Sequence, residues 1–168
     1  MRNYYQEFLI RDWRAEDRSA AAGVIRQVLE EYGLPWQPES ADSDVIAVES
    51  SYLDVGGEFW VVEVLGKIVG TAAYYPVQST KDCVEIRKMY LLPEVRGRGL
   101  GTYLLESLEK AILKKKYTKI EIETASILKE AVILYEKHDY RPMTEVTTAR
   151  CDRSYYKKLT KSTQAPSF

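Results

Sequence analysis

The run Pro93-Glu94-Val95-Arg96-Gly97-Arg98-Gly99-Leu100-Gly101-Thr102 constrains this chain more than any other stretch. Upstream, Val84 to Leu92 is rich in apolar and β-favouring residues. Downstream, Leu100, Leu104, Leu105, Leu108, Ala111 and Ile112 recur at helical spacing. Three alternate glycines therefore stand where a strand hands over to a helix. The first amides of a helix have no acceptor inside it and lie at the positive end of its dipole, so an anion placed there is bound by backbone. Glycine lets those amides approach closely, and the run reads as a phosphate cradle.

The rest of the chain supplies elements to hold it. Phe8-Leu9-Ile10 with Trp13 reads as a first strand. Ala15 to Tyr32 puts Ala21, Val24, Ile25, Val28, Leu29 and Tyr32 on one helical face, with Gly33 as its C-terminal cap. Leu34 to Pro38 is a rigid loop carrying Trp36, and Asp42 to Leu53 is a weaker helix presenting Val45, Val48 and Tyr52. Glu58 to Leu65 and Lys67 to Pro76 flank Gly66 as a tight antiparallel hairpin.

The next strand, Asp82 to Leu92, changes phase. Val84 and Ile86 occupy even positions, whereas Met89 and Leu91, the next inward candidates, occupy odd ones. One inserted residue does this, and a β-bulge is such an insertion, bending the strand and leaving backbone groups unpaired. Thr118 to Thr124 alternates as a half-exposed strand. Lys114-Lys115-Lys116 complements the negative end of the helix before it. Ile127 to His138 forms the last helix, and Tyr140 to Met143 with Val146 to Arg150 a closing strand pair. Residues 161–168 read as a frayed tail. The order hairpin, strand, helix, strand, helix, strand describes one α/β (α+β) domain over 1–160 on a mixed sheet.

Composition narrows the function classes. With 168 residues, 45% apolar and 29% charged, the chain is an ordinary globular domain rather than a disordered or collagen-like one. A formal net charge of -1 gives no general attraction for nucleic acid or for an anionic membrane. No run of residues has the length and apolarity of a signal peptide or a membrane span, so the expected location is cytoplasmic. Cys83 and Cys151 are far apart and have no CxxC or His/Cys cluster around them, so no metal site or disulfide is expected.

Two phosphate-binding patterns fail: there is no GxxxxGK(S/T), and glycines at 97, 99 and 101 do not make GxGxxG. What remains, Arg96-Gly97-Arg98-Gly99-Leu100-Gly101 entered from Met89-Tyr90-Leu91-Leu92-Pro93, resembles the acetyl-CoA site of the GNAT superfamily of N-acyltransferases, with its signature Q/R-x-x-G-x-G/A. Leu134-Tyr135-Glu136-Lys137 is similar to the segment of that family's last helix, and the order of elements extends the resemblance over most of the chain. It implies a central, mostly antiparallel mixed sheet splayed at two parallel strands, with helices on both faces. It also implies N-acetyl transfer from acetyl-CoA, with no metal, to a primary amine in a ternary complex.

The resemblance also assigns roles. The amides of Arg96, Gly97, Arg98, Gly99, Leu100, Gly101 and Thr102 would hold the pyrophosphate, with Arg96 and Arg98 adding charge-assisted bonds. Leu91 would bond the pantetheine arm through its backbone. An amide freed by the bulge near Met89 would face the thioester oxygen. Tyr135 would protonate the departing thiolate. An ammonium has no lone pair for attack, so a base is needed; Glu85 is the first candidate and Glu123 the alternative. Trp36, Tyr52, Tyr74 and Tyr75 are candidates for the acceptor wall.

His138 has no partner pattern and is read as structural or exposed. Asp139 and Leu128 depart from the family, where glycine and asparagine are common at those places. Cys83, close to the cleft, is the residue through which a ping-pong route could run. The alternatives are a non-catalytic acyl-CoA-binding or regulatory module and an enzyme for longer acyl chains. A small metabolite amine, an amino acid and a protein N-terminus all remain as acceptors, and a homodimer is compatible with the resemblance without being readable from the residues.

Overall fold

A computed structural model of the chain describes residues 1–160. The segment 161–168, expected to fray, lies outside the described residues. In chain order the elements are β1 (Arg2–Tyr5), β2 (Phe8–Asp12), α1 (Arg18–Glu31), α2 (Ser43–Ile46), β3 (Glu58–Val64) and β4 (Lys67–Pro76). They continue with β5 (Cys83–Leu91), α3 (Leu100–Lys114), β6 (Lys119–Thr124), α4 (Lys129–Lys137), β7 (Arg141–Met143) and β8 (Arg153–Lys158).

The eight strands form one sheet in the order β1-β2-β3-β4-β5-β6-β8-β7. Every neighbouring pair is antiparallel except β5 and β6, which run parallel. Their pairing runs only from Cys83↔Lys119 to Ile86↔Ile122. Beyond Ile86 the two strands part, and the sheet opens between them.

The helices sit on the two faces as their apolar stripes require. Ala21, Val24, Ile25, Val28 and Leu29 of α1 are buried, and Leu100, Leu104, Leu105, Leu108 and Ile112 of α3 are buried. Tyr75 is paired with Glu85, and its ring lies 5.8 Å from that of Tyr52, so this register faces the α1 side. Lys157 and Tyr155, paired with Ile120 and Ile122, bond Glu109 of α3 and Glu136 of α4 on the other side. The core is continuous across both faces and includes Trp60, Phe8, Phe59, Tyr74 and Tyr155.

Several local expectations hold. Leu65 and Gly66 both have positive φ, +50° and +76°, which is the hairpin turn between β3 and β4. Gly33, at φ +69°, follows the end of α1. The bulge is where the phase change put it: Thr71 pairs with Tyr90 but Ala73 pairs with Arg87, so Lys88 and Met89 together oppose Ala72. Lys88 takes φ +52° there, and its carbonyl accepts from Thr71 Oγ1 at 2.6 Å.

Three expectations need correction. The closing strand is β8, Arg153–Lys158, not Val146 to Arg150. Residues 144–152 form a loop because their polar groups bond across the site: Glu123 takes the amides of Thr147 and Thr148, and Arg150 reaches Asp42. The helix expected over Asp42 to Leu53 breaks into α2 and a separate turn over Glu49–Leu53. Ala47 leaves helical geometry between them, while Val45, Val48 and Tyr52 are still buried as the spacing required. Finally, β1 precedes the first expected strand; its residues, Arg-Asn-Tyr-Tyr, are half exposed or exposed and carry no alternation to betray it.

Candidate active site

A cleft of about 320 Å³ runs through the opening between β5 and β6. The bulged end of β5, the glycine loop, one side of α4 and the 144–152 loop converge on it. Gly97, Gly99, Gly101, Thr102, Met89, Leu91, Arg96, Glu85 and Tyr135 all line it. Residues from Val28 to Cys151, far apart in sequence, thus share one cavity.

The glycine loop is open for an anion. Gly97 and Gly99 take φ +72° and +78°, conformations that side-chain-bearing residues adopt only at a cost. Among the described residues, no acceptor takes the amides of Gly97, Arg98 or Gly99. The first amides of α3 follow at once, with Tyr103 N the first to bond back, to Gly99 O at 3.0 Å. Tyr5 supports the loop from behind: its hydroxyl donates to Arg98 O at 2.9 Å, and a Cβ on Gly99 would stand 2.5 Å from the Tyr5 hydroxyl oxygen. β1, which the sequence did not reveal, therefore buttresses the loop.

The two arginines of the motif behave differently. Arg96 lines the cleft, donating from Nε to Leu91 O at 2.9 Å and gripping Glu31 through both terminal nitrogens at 2.8 Å. Arg98 is a correction. Its side chain turns away, pairing with Glu7 at 2.6 Å, Gln6 at 3.1 Å and the ring of Phe8. Only its backbone belongs to the loop, because the β1–β2 turn offers its guanidinium a carboxylate on the opposite side. Leu100 likewise has a fully buried side chain and presents only its backbone.

Glu85 and Glu123, the two candidate bases, both line the cleft in opposite electrostatic states. Burial pushes the Glu85 carboxyl above its ordinary value, partly offset by Arg87 and by the Tyr75 hydroxyl, which donates to it at 2.7 Å. Burial also works on Glu123, but hydrogen bonds from Thr148 and Thr147 outweigh it and hold that carboxylate below its ordinary value. Its oxygens are occupied by Thr147 N at 2.6 Å, Thr147 Oγ1 at 2.8 Å and Thr148 N at 2.8 Å. Glu123 anchors the 144–152 loop, whereas Glu85 keeps one hydrogen-bond partner, Tyr75.

Tyr135 is buried between the rings of Tyr140 and Tyr155, at 5.8 and 6.2 Å. Among the described residues its hydroxyl has no hydrogen-bond partner, and burial raises its pKa further, so the phenol stays protonated. The thiol in the cleft is Cys151 rather than Cys83. Burial pushes Cys151 up to about 11, so it is a thiol and not a thiolate nucleophile. Cys83, the first residue of β5, is buried and is pushed up to about 12.

The cleft's aromatic residues are Tyr32, Tyr90 and Tyr135. Trp36 instead borders a shallow depression beside α1, and Tyr74 is fully buried with its hydroxyl on Glu58. Tyr52 and Tyr75 stand behind the wall, Tyr52 bonded to Asp44 and Tyr75 to Glu85. Sequence reasoning also missed a buried ionic knot on the floor. Asp42, with no exposed surface, accepts two bonds from Arg150 at 2.6 Å and one from Lys88 at 2.7 Å. Burial would raise Asp42, but these partners hold it at about 2. The signal that could have found the knot was Lys88 itself, a charge at an inward position of a buried strand.

The departures at the last helix are accommodated. Asp139 takes φ +64°, the geometry for which glycine is the usual residue, and Leu128 lines the cleft. His138 packs its Nδ1 against Leu134 O at 2.8 Å at the end of α4, a structural role.

Comparison with known proteins agrees with this arrangement. The pattern of the Acetyltransferase (GNAT) family matches residues 25–140. The protein described as uncharacterized N-acetyltransferase YjgM of Escherichia coli (strain K12) is 38% identical over 135 residues, spanning 78% of this chain and 80% of that one. Among solved structures, an acetyltransferase of GNAT family from Staphylococcus aureus Mu50 superposes with a TM-score of 0.85 at 18% identity, covering 91% of this chain and 99% of that one. A GNAT superfamily phosphinothricin acetyltransferase from Sinorhizobium meliloti, in complex with AcCoA, superposes with a TM-score of 0.74 at 16% identity, covering 95% and 92%. At such identities the structural likeness concerns the fold.

Proposed function

The chain belongs to the GNAT acetyltransferase family and is an N-acetyltransferase, and on that premise we propose that it uses acetyl-CoA as donor and a primary amine as direct nucleophile. The observation that carries this reading is the shared cavity. Open amides at the head of α3, the bulge of β5, Glu85 and Tyr135 all border one cleft. The Sinorhizobium neighbour, solved with AcCoA, supports the same donor here.

The chemistry follows from the parts. The pyrophosphate rests on the amides from Gly97 to Thr102, where backbone dipoles and the start of α3 favour negative charge. The pantetheine arm lies along Leu91 in the gap between β5 and β6, and the thioester oxygen meets an amide freed at the Lys88–Met89 bulge. That donor matters because charge develops on the oxygen as the amine attacks. Glu85 takes one proton from the ammonium before attack. As the tetrahedral intermediate collapses and the C–S bond breaks, Tyr135 protonates the departing thiolate, and the second proton, shed by the new amide nitrogen, restores the tyrosine. The net products are the amide, the CoA thiol and one proton that Glu85 passes to solvent, without an acyl-enzyme. The neutral Cys151 thiol agrees with direct attack.

A CoA-release assay over an amine panel, run beside calorimetric titration of acetyl-CoA, tests the reading. Saturable acetyl-CoA binding with amine-dependent release is expected. Tight binding without turnover on any amine would make the chain a binding module and overturn the reading.

A further inference from the structure

The acceptor end of the cleft contains charge that the transfer reaction does not use. Four cationic side chains line the cavity: Arg87, Lys88, Arg96 and Arg150. Three are committed within the protein. Lys88 bonds Asp42 at 2.7 Å and Ala41 O at 3.1 Å, Arg150 bonds Asp42 twice and Pro35 O, and Arg96 bonds Glu31 twice and Leu91 O. Among the described residues, Arg87 alone of the four makes no side-chain hydrogen bond. Its nearest carboxylate oxygens are Glu85 Oε1, 3.4 Å from Nε, and Asp44 Oδ2, 3.7 Å from one terminal nitrogen. Both are ion-pair contacts longer than an ordinary N–H···O bond, so its charge is balanced while its donors are not taken up by side-chain hydrogen bonds.

Arg87 is also held in place. Its side chain is 24% exposed and its guanidinium sits 5.7 Å from the centre of the Tyr75 ring. It shares a face of β5 with Glu85, since Ala73↔Arg87 and Tyr75↔Glu85 are successive same-face pairs of one ladder. A guanidinium fork is built for two parallel bonds to a carboxylate, and here it stands beside the carboxylate assigned to receive the amine's proton.

We propose that Arg87 binds the carboxylate of the acceptor, and that the acceptor is a free α-amino acid whose ammonium faces Glu85. The inference rests on the acetyl-transfer reading above and names its substrate class. A zwitterion sets each of its charges against the opposite charge in the site, so both ends are paired on entry. A polyamine would meet Arg87 with like charge. A peptide N-terminus or an amino-acid amide would leave the fork without its anion, and such unpaired buried donors are how a site rejects an analogue.

The test compares each of the twenty free amino acids with its C-terminal amide, and spermidine, in the CoA-release assay at saturating acetyl-CoA. The amide keeps the amine and loses the negative charge. For the best acid, kcat/KM is expected to exceed that of its amide about tenfold or more, the worth of one charged hydrogen bond. In Arg87→Gln that ratio falls to near one, chiefly through KM of the acid. The ratio is insensitive to any change Arg87 makes in the basicity of Glu85, because acid and amide share that base. Thermal melting of Arg87→Gln and of the charge-retaining Arg87→Lys checks the fold. If the amides or spermidine match the acids in the wild-type protein, or the ratio survives in Arg87→Gln, the inference is overturned while the acetyltransferase reading stands. If no amine releases CoA, both fall.

Discussion

Glu85 and Glu123 sit on adjacent strands, have the same chemistry and line the same cleft, yet the proposed mechanism gives the role of base to Glu85 alone. The difference is in their partners. Glu123 is wrapped by Thr147 and Thr148 and kept ionised, whereas Glu85 is raised by burial. A base works only when unprotonated, so kcat/KM should rise with pH through the elevated pKa of Glu85 and fall away below it. Glu85→Gln should remove that acidic limb and lower kcat/KM about a hundredfold, the low end of acid–base contributions. A pH–rate profile checks it, and Glu123→Gln should retain the limb. Cys151→Ala should keep turnover within about threefold, because a thiol raised to about 11 supplies no nucleophile at neutral pH. The family resemblance named Glu85 first and Glu123 as the alternative; the sequence does not show the physical difference between them, because the groups that hold Glu123 lie 24 and 25 residues further along the chain.

At the scale of elements, the strand that feeds the glycine loop was readable and the loop that closes the cleft was not. The phase change between Ile86 and Met89 located the bulge, since a period of two leaves no other way to keep both halves inward. No such periodicity governs residues 144–152, which are held by Glu123 and Asp42 from distant elements. The expected 42–53 helix starts directly after this knot, with Asp42 preceding α2, and is interrupted at Ala47. Asp42→Asn should destabilise the fold by about 3 kcal/mol, read by chemical denaturation, because it leaves Arg150 without a carboxylate and Lys88 with Asp44 alone, at 3.1 Å.

The pH dependence of that knot has a definite sign. Asp42 has its folded pKa depressed from 3.8 to about 2, so its contribution is present above pH ~4 and is lost as pH falls through about 2. Denaturation midpoints of the wild-type protein should fall across that window more steeply than those of Asp42→Asn. Gly99→Ala introduces a Cβ 2.5 Å from the Tyr5 hydroxyl at φ +78°. It should weaken acetyl-CoA binding about tenfold by calorimetry, in line with a strain of 1–2 kcal/mol at such a backbone position.

For the whole molecule, one topological feature organises everything: two parallel neighbours in an otherwise antiparallel sheet, which part after Ile86 and Ile122. In the proposed reading the gap would give a long thin donor a path through the sheet, with its phosphates on one helix terminus and its acyl group among side chains from three other elements. This architecture was legible because apolar stripes, glycine turns and the loop motif all agreed on it. Acceptor chemistry was not, because it depends on which of four cations is left unspent, and that is decided by long-range pairing. Trp36 and Tyr74, which look like acceptor contacts in the sequence, are taken by packing elsewhere.

Whether this cleft transfers acetyl from acetyl-CoA to an amine with Tyr135 as the acid is decided by steady-state CoA release from wild-type protein and Tyr135→Phe at saturating acetyl-CoA, with acetyl-CoA affinity measured on both. Tyr135 acting as the acid gives amine-dependent release in the wild type and a fall in kcat of about tenfold or more in Tyr135→Phe, with affinity for acetyl-CoA unchanged. Equal kcat in the two proteins, or release that ignores the amine, would contradict it.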